Sequence, residues 1–531
     1  MPSISPLSLV RNGDASKSKS PEPSSEVKQE LVEGARALVA WVEGRALNDE
    51  LPLFKVFEKQ LLDQVMVLAR LLVVLFLTLC EERLAGQARP GVTEVGGRRF
   101  RTAPSQARSL NTLFGIVRYW RGYMREVHDS ERRGFHPLDV ALGLTADRIS
   151  FNVLSLAVRL ATKLSFAEAK STMSWFVPVA PSTEVIEQAV LGMGRHTQEW
   201  FKVQTPPSGD GEVMITLLDS KGAPTATAAE LRRRRGKRRK TAKAPSPRHR
   251  GRVRRKRYPK KPRRKKGDKS KNAKLATMFV QYTLKREGGK LLGPINIRRY
   301  ASFGPKEHAF AIARREADKR GFTTASGKLH QIVTDGDNDL AFYAKRHFPE
   351  AMHTIDVMHV VEKLWKAGEC LYREDSNALK RWVHEQKDRL YRGQAAKVVH
   401  EIGRRLDAVP KTGPGNKGKR DRLHNIHGYL NKRLQQLNYD ELIAQDLEIG
   451  SGMIEGGVKN VIGKRCDHGG MRWIKERAEA LLQLRCIEIN GDWDTFSDWL
   501  HRQTSARAQQ GERVRLQQQT PQPLPAIRSA A

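Results

Sequence analysis

The amino-acid sequence predicts a multidomain α+β protein, and three observations carry that expectation. Its 531 residues, at roughly 100 to 200 per domain, suffice for three or four folded units. Hydrophobic residues make up 39% and charged residues 29%, which excludes a multi-span membrane protein and a wholly disordered chain. Helical periodicity fills residues 27 to 85 and 361 to 448, whereas residues 210 to 360 alternate apolar strands with helices.

Residues 1–26 are rich in Ser, Pro and Lys and lack an apolar core before a cleavage site, so they read as a disordered leader, not a secretory signal. Residues 27–107 form an N-terminal helical region whose hairpin breaks near Asn48 to Pro52. Its apolar run, Val65 to Cys80, falls short of the ~20 residues a bilayer requires and contains Arg70. A buried helix or an oligomer contact is expected there, with no membrane partner. Residues 108–200 follow as a DNA-binding region. They hold a ribbon of β-formers around Tyr119 to Tyr123, then two short helices from Leu164 to Gly194. Ser165 with Glu168 makes a capping box and Ser182 caps the second helix, which fits a helix-turn-helix or a plain helical hairpin.

In the central region a strand from Glu212 is expected to end at Asp219, two more begin at Leu275 and Leu291, and a helix starts near Pro305. A strand ending at Asp335, a helix and a strand through Asp356 complete the order β, β, β, α, β, α, β. That order is the pattern of a ribonuclease-H-like α/β core, here residues 210–230 and 275–360. Residues 361–448 form an inserted helical domain, 449–500 return as C-terminal helices of the core, and 501–531 read as a disordered tail rich in Gln, Pro and Arg.

Phosphoryl transfer on DNA calls for acids holding two divalent ions roughly 3.5 to 4 Å apart. Asp219 and Asp335 follow the apolar runs LLD and IVTD, and Glu455 sits in a helix that Ser451 is expected to cap and whose positions Ile454, Val458 and Val461 form one apolar stripe. Asp356 also closes a strand and is the rival second ligand. Each of these acids also has a plainer reading, a solvated turn residue or a first-turn Glu complementing the helix dipole and pairing with Lys459.

The motifs LLDSKGAP at Asp219, IVTDGDNDLA at Asp335, HFPEAMHTIDVMHVVEKLW from His347 and GSGMIEGGVKNVIGKRCDHGGMRW from Gly450 occur in order, with TLFGIVRYWRGY and HPLDVALGL upstream. Over about residues 108 to 500 the chain thereby resembles the ISKra family of bacterial insertion-sequence transposases, a DDE group related to Mutator-like transposases. The resemblance implies a DNA transposase that cleaves strands and transfers 3′-hydroxyls at element ends, with Mg²⁺, or Mn²⁺, at Asp219, Asp335 and Glu455. It matches Asp356 to His359 to a family element of the form C or D, two residues, then H. His359 then positions DNA or the scissile phosphate, or merely hydrogen-bonds a helix N-terminus. Paired ribbon cysteines common in relatives are missing between Tyr123 and Asp139, and Cys80, Cys370, Cys466 and Cys486 form no CxxC pair, so no zinc site is expected. The start of an EF-hand loop at Asp335 lacks Gly at its sixth position and Glu at its twelfth, and GPGNKGKR lacks the Ser or Thr of a phosphate loop, so neither Ca²⁺ nor ATP is expected.

Lys and Arg total 95 against 58 acids, a net charge of +37, which points to a polyanionic partner. From Leu231 to Lys274 there are 25 basic residues and one acid, Asp268, so this insert carries +24 and the rest of the chain +13. Arg232, Arg233, Arg234, Arg235, Lys237, Arg238, Arg239, Arg254, Arg255, Lys256, Arg257, Arg263, Arg264, Lys265 and Lys266 make it a sequence-independent clamp on duplex DNA. His359, Lys459, Arg465 and Arg472 are further candidate DNA contacts, and Trp473 is either a core residue or a stacking platform for unpaired ends. Expected partners are double-stranded element ends and target DNA, engaged by a homodimer or larger oligomer in the cytoplasm, at the nucleoid. A nuclease without strand transfer and a non-catalytic DNA-binding protein are the competing classes.

Overall fold

The computed structural model describes residues 23–87, 92–95, 97–127, 134–232, 273–468, 471–510 and 512–525. It divides into two compact units, Met1–His196 with Gly491–Pro521, and Thr197–Asn490 with Gln522–Ala531. Each has its own core, so the chain is multidomain α+β.

In the first unit, helices α1 (Ser24–Ala46) and α2 (Phe54–Gln87) form the expected hairpin, stacked at Trp41 on Phe57. An antiparallel sheet follows, β1 (Val92–Val95), β2 (Arg98–Thr112), β3 (Gly115–Glu126) and β4 (Gly134–Phe135), in that order across the sheet. Strand structure therefore begins well before residue 108, because β2 pairs with β3 along its length from Phe100 to Thr112. Leu77 of α2 packs with Leu110, Val117 and Tyr119 of the ribbon and with Leu138 of α3 (Pro137–Ala141).

Helices α4 (Phe151–Lys163), α5 (Phe166–Met173) and α6 (Thr183–Gly194) complete this unit with the helix Trp493–Gln509. The Ser165 and Glu168 capping box and the Ser182 cap are both formed. From Ala189 to Gly194, however, α6 is buried, and a Cβ on Gly192 would meet the Leu516 carbonyl oxygen, so only the first turn of α6 is open to a duplex. The tail expected to be disordered is helical to Gln509, and then runs past Asp147, whose carboxylate accepts the N–H groups of Leu516 (2.7 Å) and Gln517 (3.2 Å). A fixed anion beside successive N–H groups explains how so polar a segment is held. It also places Gly491–Pro521 in the first unit, not among the core helices.

The second unit is built on a five-stranded sheet after α7 (Thr197–Val203). Its strands are β5 (Val213–Pro224), β6 (Ala273–Glu287), β7 (Lys290–Ser302), β8 (His330–Thr334) and β9 (Met352–Ile355), ordered β7-β6-β5-β8-β9. β6 is antiparallel to β5 and β7, while β5, β8 and β9 run parallel. The parallel strands are linked through α8 (Lys306–Lys319) and α9 (Asn338–His347), whose apolar sides cover the sheet. β5 does not stop at Asp219: β6 continues to pair with it as far as Pro224 opposite Ala273.

After α10 (Val357–Gly368) come the helices of the expected insertion, α11 (Asn377–Tyr391), α12 (Ala395–Ala408), α13 (Asn416–Asn431) and α14 (Tyr439–Ala444). The loop expected over Gly413 to Arg420 is shorter, since left-handed Gly415 starts α13 and Arg420 lies within it, donating to the carbonyls of Leu406 and Val409. α15 (Gly452–Val458) runs into a π-helical segment, Lys459–Asp467, before α16 (Lys475–Ile489). The wider π turns leave carbonyls to be satisfied, and Arg485 of α16 donates to those of Asn460 (2.6 Å) and Val461 (3.0 Å).

Glu479 of α16 is buried and accepts from Ser302 Oγ (2.7 Å), the Phe303 N–H (2.6 Å) and Gln483. Burial pushes its carboxyl up to about 7, against which these donors work. The folded chain thus holds the Glu479 proton more tightly than the unfolded chain does. The stability this contributes is present in full below about pH 4 and is lost as pH rises through 7, by about 3 kcal/mol. Urea midpoints between pH 5 and 7.5 are expected to fall accordingly, and Glu479→Gln to flatten that slope; an unchanged slope refutes the assignment.

Candidate active site

The parallel register brings three acids to one level. Leu218 pairs with Thr334, and Thr334 with Ile355, so the next residues along β5, β8 and β9 are Asp219, Asp335 and Asp356. Parallel strands of an open sheet deliver the side chains at their C-terminal ends to one rim. α15 approaches the same rim, because Gly457 lets it lie against β6: a Cβ there would stand 2.8 Å from Met278 Cε. Ile454, Val458 and Val461 are buried as the apolar stripe requires, and Glu455 is left exposed.

These acids sense one another. Burial raises the Asp219 carboxyl above its usual range; the Ser220 N–H (2.6 Å) opposes this, Asp335 and Glu455 raise it further, and His359 lowers it. Asp219, Asp335, Glu455 and His359 therefore share one electrostatic environment. Among the described residues, Asp356, His359 and Glu455 also form a group whose potential ligand atoms all lie within 4.8 Å of one another.

Asp335 and Asp356 differ in what they are free to do. Asp356 is wholly buried; its Oδ1 accepts the Met358 N–H (2.9 Å), and its Oδ2 accepts from Ser451 Oγ (2.6 Å) and His359 Nδ1 (2.6 Å). Burial alone would raise this carboxyl, but the bonds from His359, Ser451 and Met358 hold it below the ordinary range. The same bond to Asp356, opposed by burial and aided by Asp335 and Glu362, raises the His359 imidazole. Ser451 is thus no cap for α15, as its sequence position suggests; its hydroxyl is turned to Asp356. Asp335 is half-buried, with Oδ1 accepting the Asp337 N–H (2.8 Å).

Sequence reasoning missed the residues that hold the Asp335 turn. Tyr429 Oη donates to the Asp335 carbonyl (3.1 Å), and Arg433 donates to the Gly336 carbonyl (2.8 Å) and stacks over the Tyr429 ring at 4.1 Å. Both come from the helical insertion, 94 and 97 residues along the chain from the groups they bind, and no local pattern announces such a partner. Gly336 has φ +80° and a Cβ there would lie 2.0 Å from Tyr429 Oη. Gly336→Ala is therefore expected to destabilise the protein by about 2 to 3 kcal/mol, from left-handed strain plus a clash. Adding Tyr429→Ala should restore part of the urea midpoint; no recovery would place the damage elsewhere.

Of the candidate DNA contacts, Lys459 and Arg472 are exposed, and His359 is half-buried at the rim. Arg465 is not available to a duplex: it is 2% exposed and stacks over Trp473 at 4.9 Å. Trp473 is half-buried under the Arg465 guanidinium, which fits a core role, and its backbone N–H donates to the Pro224 carbonyl. Arg232 is exposed at the start of the basic insert, while Arg233 to Lys266 lie outside the described residues.

No family model and no curated protein matches the sequence. Among solved structures, the Drosophila P element transposase strand transfer complex aligns over 69% of this chain and 84% of its own at 10% identity, with a TM-score of 0.22. That likeness is too slight to carry an argument.

Proposed function

We propose that this chain is a metal-dependent DNA transposase of the DDE type, resembling those of ISKra insertion sequences, with Asp219, Asp335 and Glu455 as its metal-binding acids. The observation that carries the reading is the convergence of Asp219, Asp335 and Glu455 on one rim of a sheet ordered β7-β6-β5-β8-β9 with β6 antiparallel. That strand order supports the reading of a ribonuclease-H-like core, and the resemblance over the motifs at Asp219, Asp335 and Glu455 supports action at element ends.

The donor set fits a hard divalent cation. Asp219, Asp335 and Glu455 offer only carboxylate oxygens; burial is what chiefly raises the Asp219 carboxyl, and Asp335 and Glu455 add to it, so a cation there would relieve both. Bound ions would activate the attacking oxygen and stabilise the leaving one. The side chains divide the remaining work. Tyr429 and Arg433 fix the turn that aims Asp335. Asp356, anchored by Ser451, holds His359 through Nδ1 and leaves Nε2 as the ring nitrogen for a DNA phosphate. Water opens a phosphodiester at the element end, and the freed 3′-hydroxyl attacks one in target DNA. The joining step exchanges one phosphodiester for another, so it requires no nucleotide triphosphate.

The deciding measurement is strand transfer with end-containing duplex in Mg²⁺ or Mn²⁺. Nicking followed by joining is expected. Nicking without joining would make the protein a nuclease, and neither would make it a DNA-binding protein of the cytoplasmic nucleoid.

A further inference from the structure

Helix α2 leaves one face unpartnered among the described residues. Its 34 residues span about 51 Å. One side packs on the ribbon through Val73, Val74, Leu77, Cys80 and Leu84, and another meets α1 at Phe57. Between these lie Leu62, Val65, Leu72, Phe76 and Leu79, all between 39% and 55% exposed. With Ala69 they fall at alternating spacings of three and four residues through nearly three heptads. Those spacings keep the six residues in one narrow stripe along the helix, a seam on which a second helix can pack.

By length and composition α2 could cross a bilayer. Two features argue for a protein partner instead: Arg70 interrupts the apolar stretch, and the seam ends in charge. Continued by the same spacing, it reaches Glu58 at one end and Arg83 at the other, both exposed. A parallel pairing of two copies would oppose Glu58 to Glu58 and Arg83 to Arg83. An antiparallel pairing sets Glu58 against Arg83 at both ends, and between them Leu62 faces Leu79, Val65 faces Phe76 and small Ala69 faces Leu72.

We propose that α2 is a homodimerisation helix, pairing antiparallel with α2 of a second copy across a two-fold axis near Ala69 and Leu72. Such a contact is isologous, so one helix supplies both halves and the assembly closes at two chains. The charged ends select the orientation, since like charges at the seam penalise the parallel alternative.

Sedimentation equilibrium of the full chain without DNA tests this. A species of twice 60.0 kDa is expected at low micromolar concentration. Leu72→Asp should convert it to one chain while leaving the circular dichroism spectrum unchanged, because Leu72 does not pack on the ribbon. Glu58→Arg alone, or Arg83→Glu alone, should weaken dimerisation on the order of tenfold, about 1.4 kcal/mol. The double variant Glu58→Arg with Arg83→Glu should restore it. A single-chain wild type, a dimer indifferent to Leu72→Asp, or a double variant no better than the singles overturns the proposal. So does flotation of the wild type, but not Leu72→Asp, with phosphatidylcholine vesicles, which would make the occupant a membrane.

Discussion

Asp219→Asn, Asp335→Asn and Glu455→Gln are each expected to lower end cleavage by on the order of 10³-fold or more, with duplex binding unchanged. An amide keeps the shape of the side chain but removes the charge that balances a divalent ion, a larger loss than that of a single neutral transition-state donor. Binding survives because the proposed grip on DNA lies in the basic insert. The informative contrast is Asp356→Asn. Since both Asp356 oxygens already accept bonds from Met358, Ser451 and His359, its loss should act through a misoriented imidazole and cost about 10- to 100-fold. His359→Gln should then match Asp356→Asn, and combining them should add little. An active Asp335→Asn beside a dead Asp356→Asn would reverse the assignment of the second metal ligand. Full activity in all three acid variants would remove the proposed chemistry altogether.

Much of this rim was legible because strand ends write themselves into sequence: LLD, IVTD and TID each place an acid after an apolar run, and parallel pairing then sets the three level. Asp219 shows the limit of that signal. An acid after apolar residues reads as a strand end, yet β5 continues to Pro224, because pairing to β6 depends on a partner some 50 residues away. Ser451 shows another. Its position before a helix predicts a cap, and only the fold reveals that buried Asp356 competes for the hydroxyl and wins it. The burial of α6 and the docking of the polar segment after Gln509 were hidden for the same reason: capping residues report where a helix begins, not what covers it.

Deleting the basic insert is expected to weaken binding to every duplex alike and to flatten the dependence of log affinity on log salt by several units. Up to 22 net positive charges between Arg233 and Asn272 can displace counterions, and each neutralised phosphate contributes about 0.9 to that slope. The deletion is structurally permissible. Pro224 and Ala273 stand opposite each other in the ladder between β5 and β6, so a short linker in place of residues 233–272 closes the hairpin without disturbing Asp219. Lys and Arg point charges carry little of the hydrogen-bonding variety that base edges require, so preference for element ends should persist in the shortened chain. Any recognition by α6 rests on its exposed first turn, where Thr183→Ala and Glu184→Ala test it with the Ser182 cap left intact. Titrations of end-containing and random duplexes between 50 and 200 mM salt separate the two contributions. Loss of end preference with an unchanged salt slope would assign recognition, not grip, to the insert.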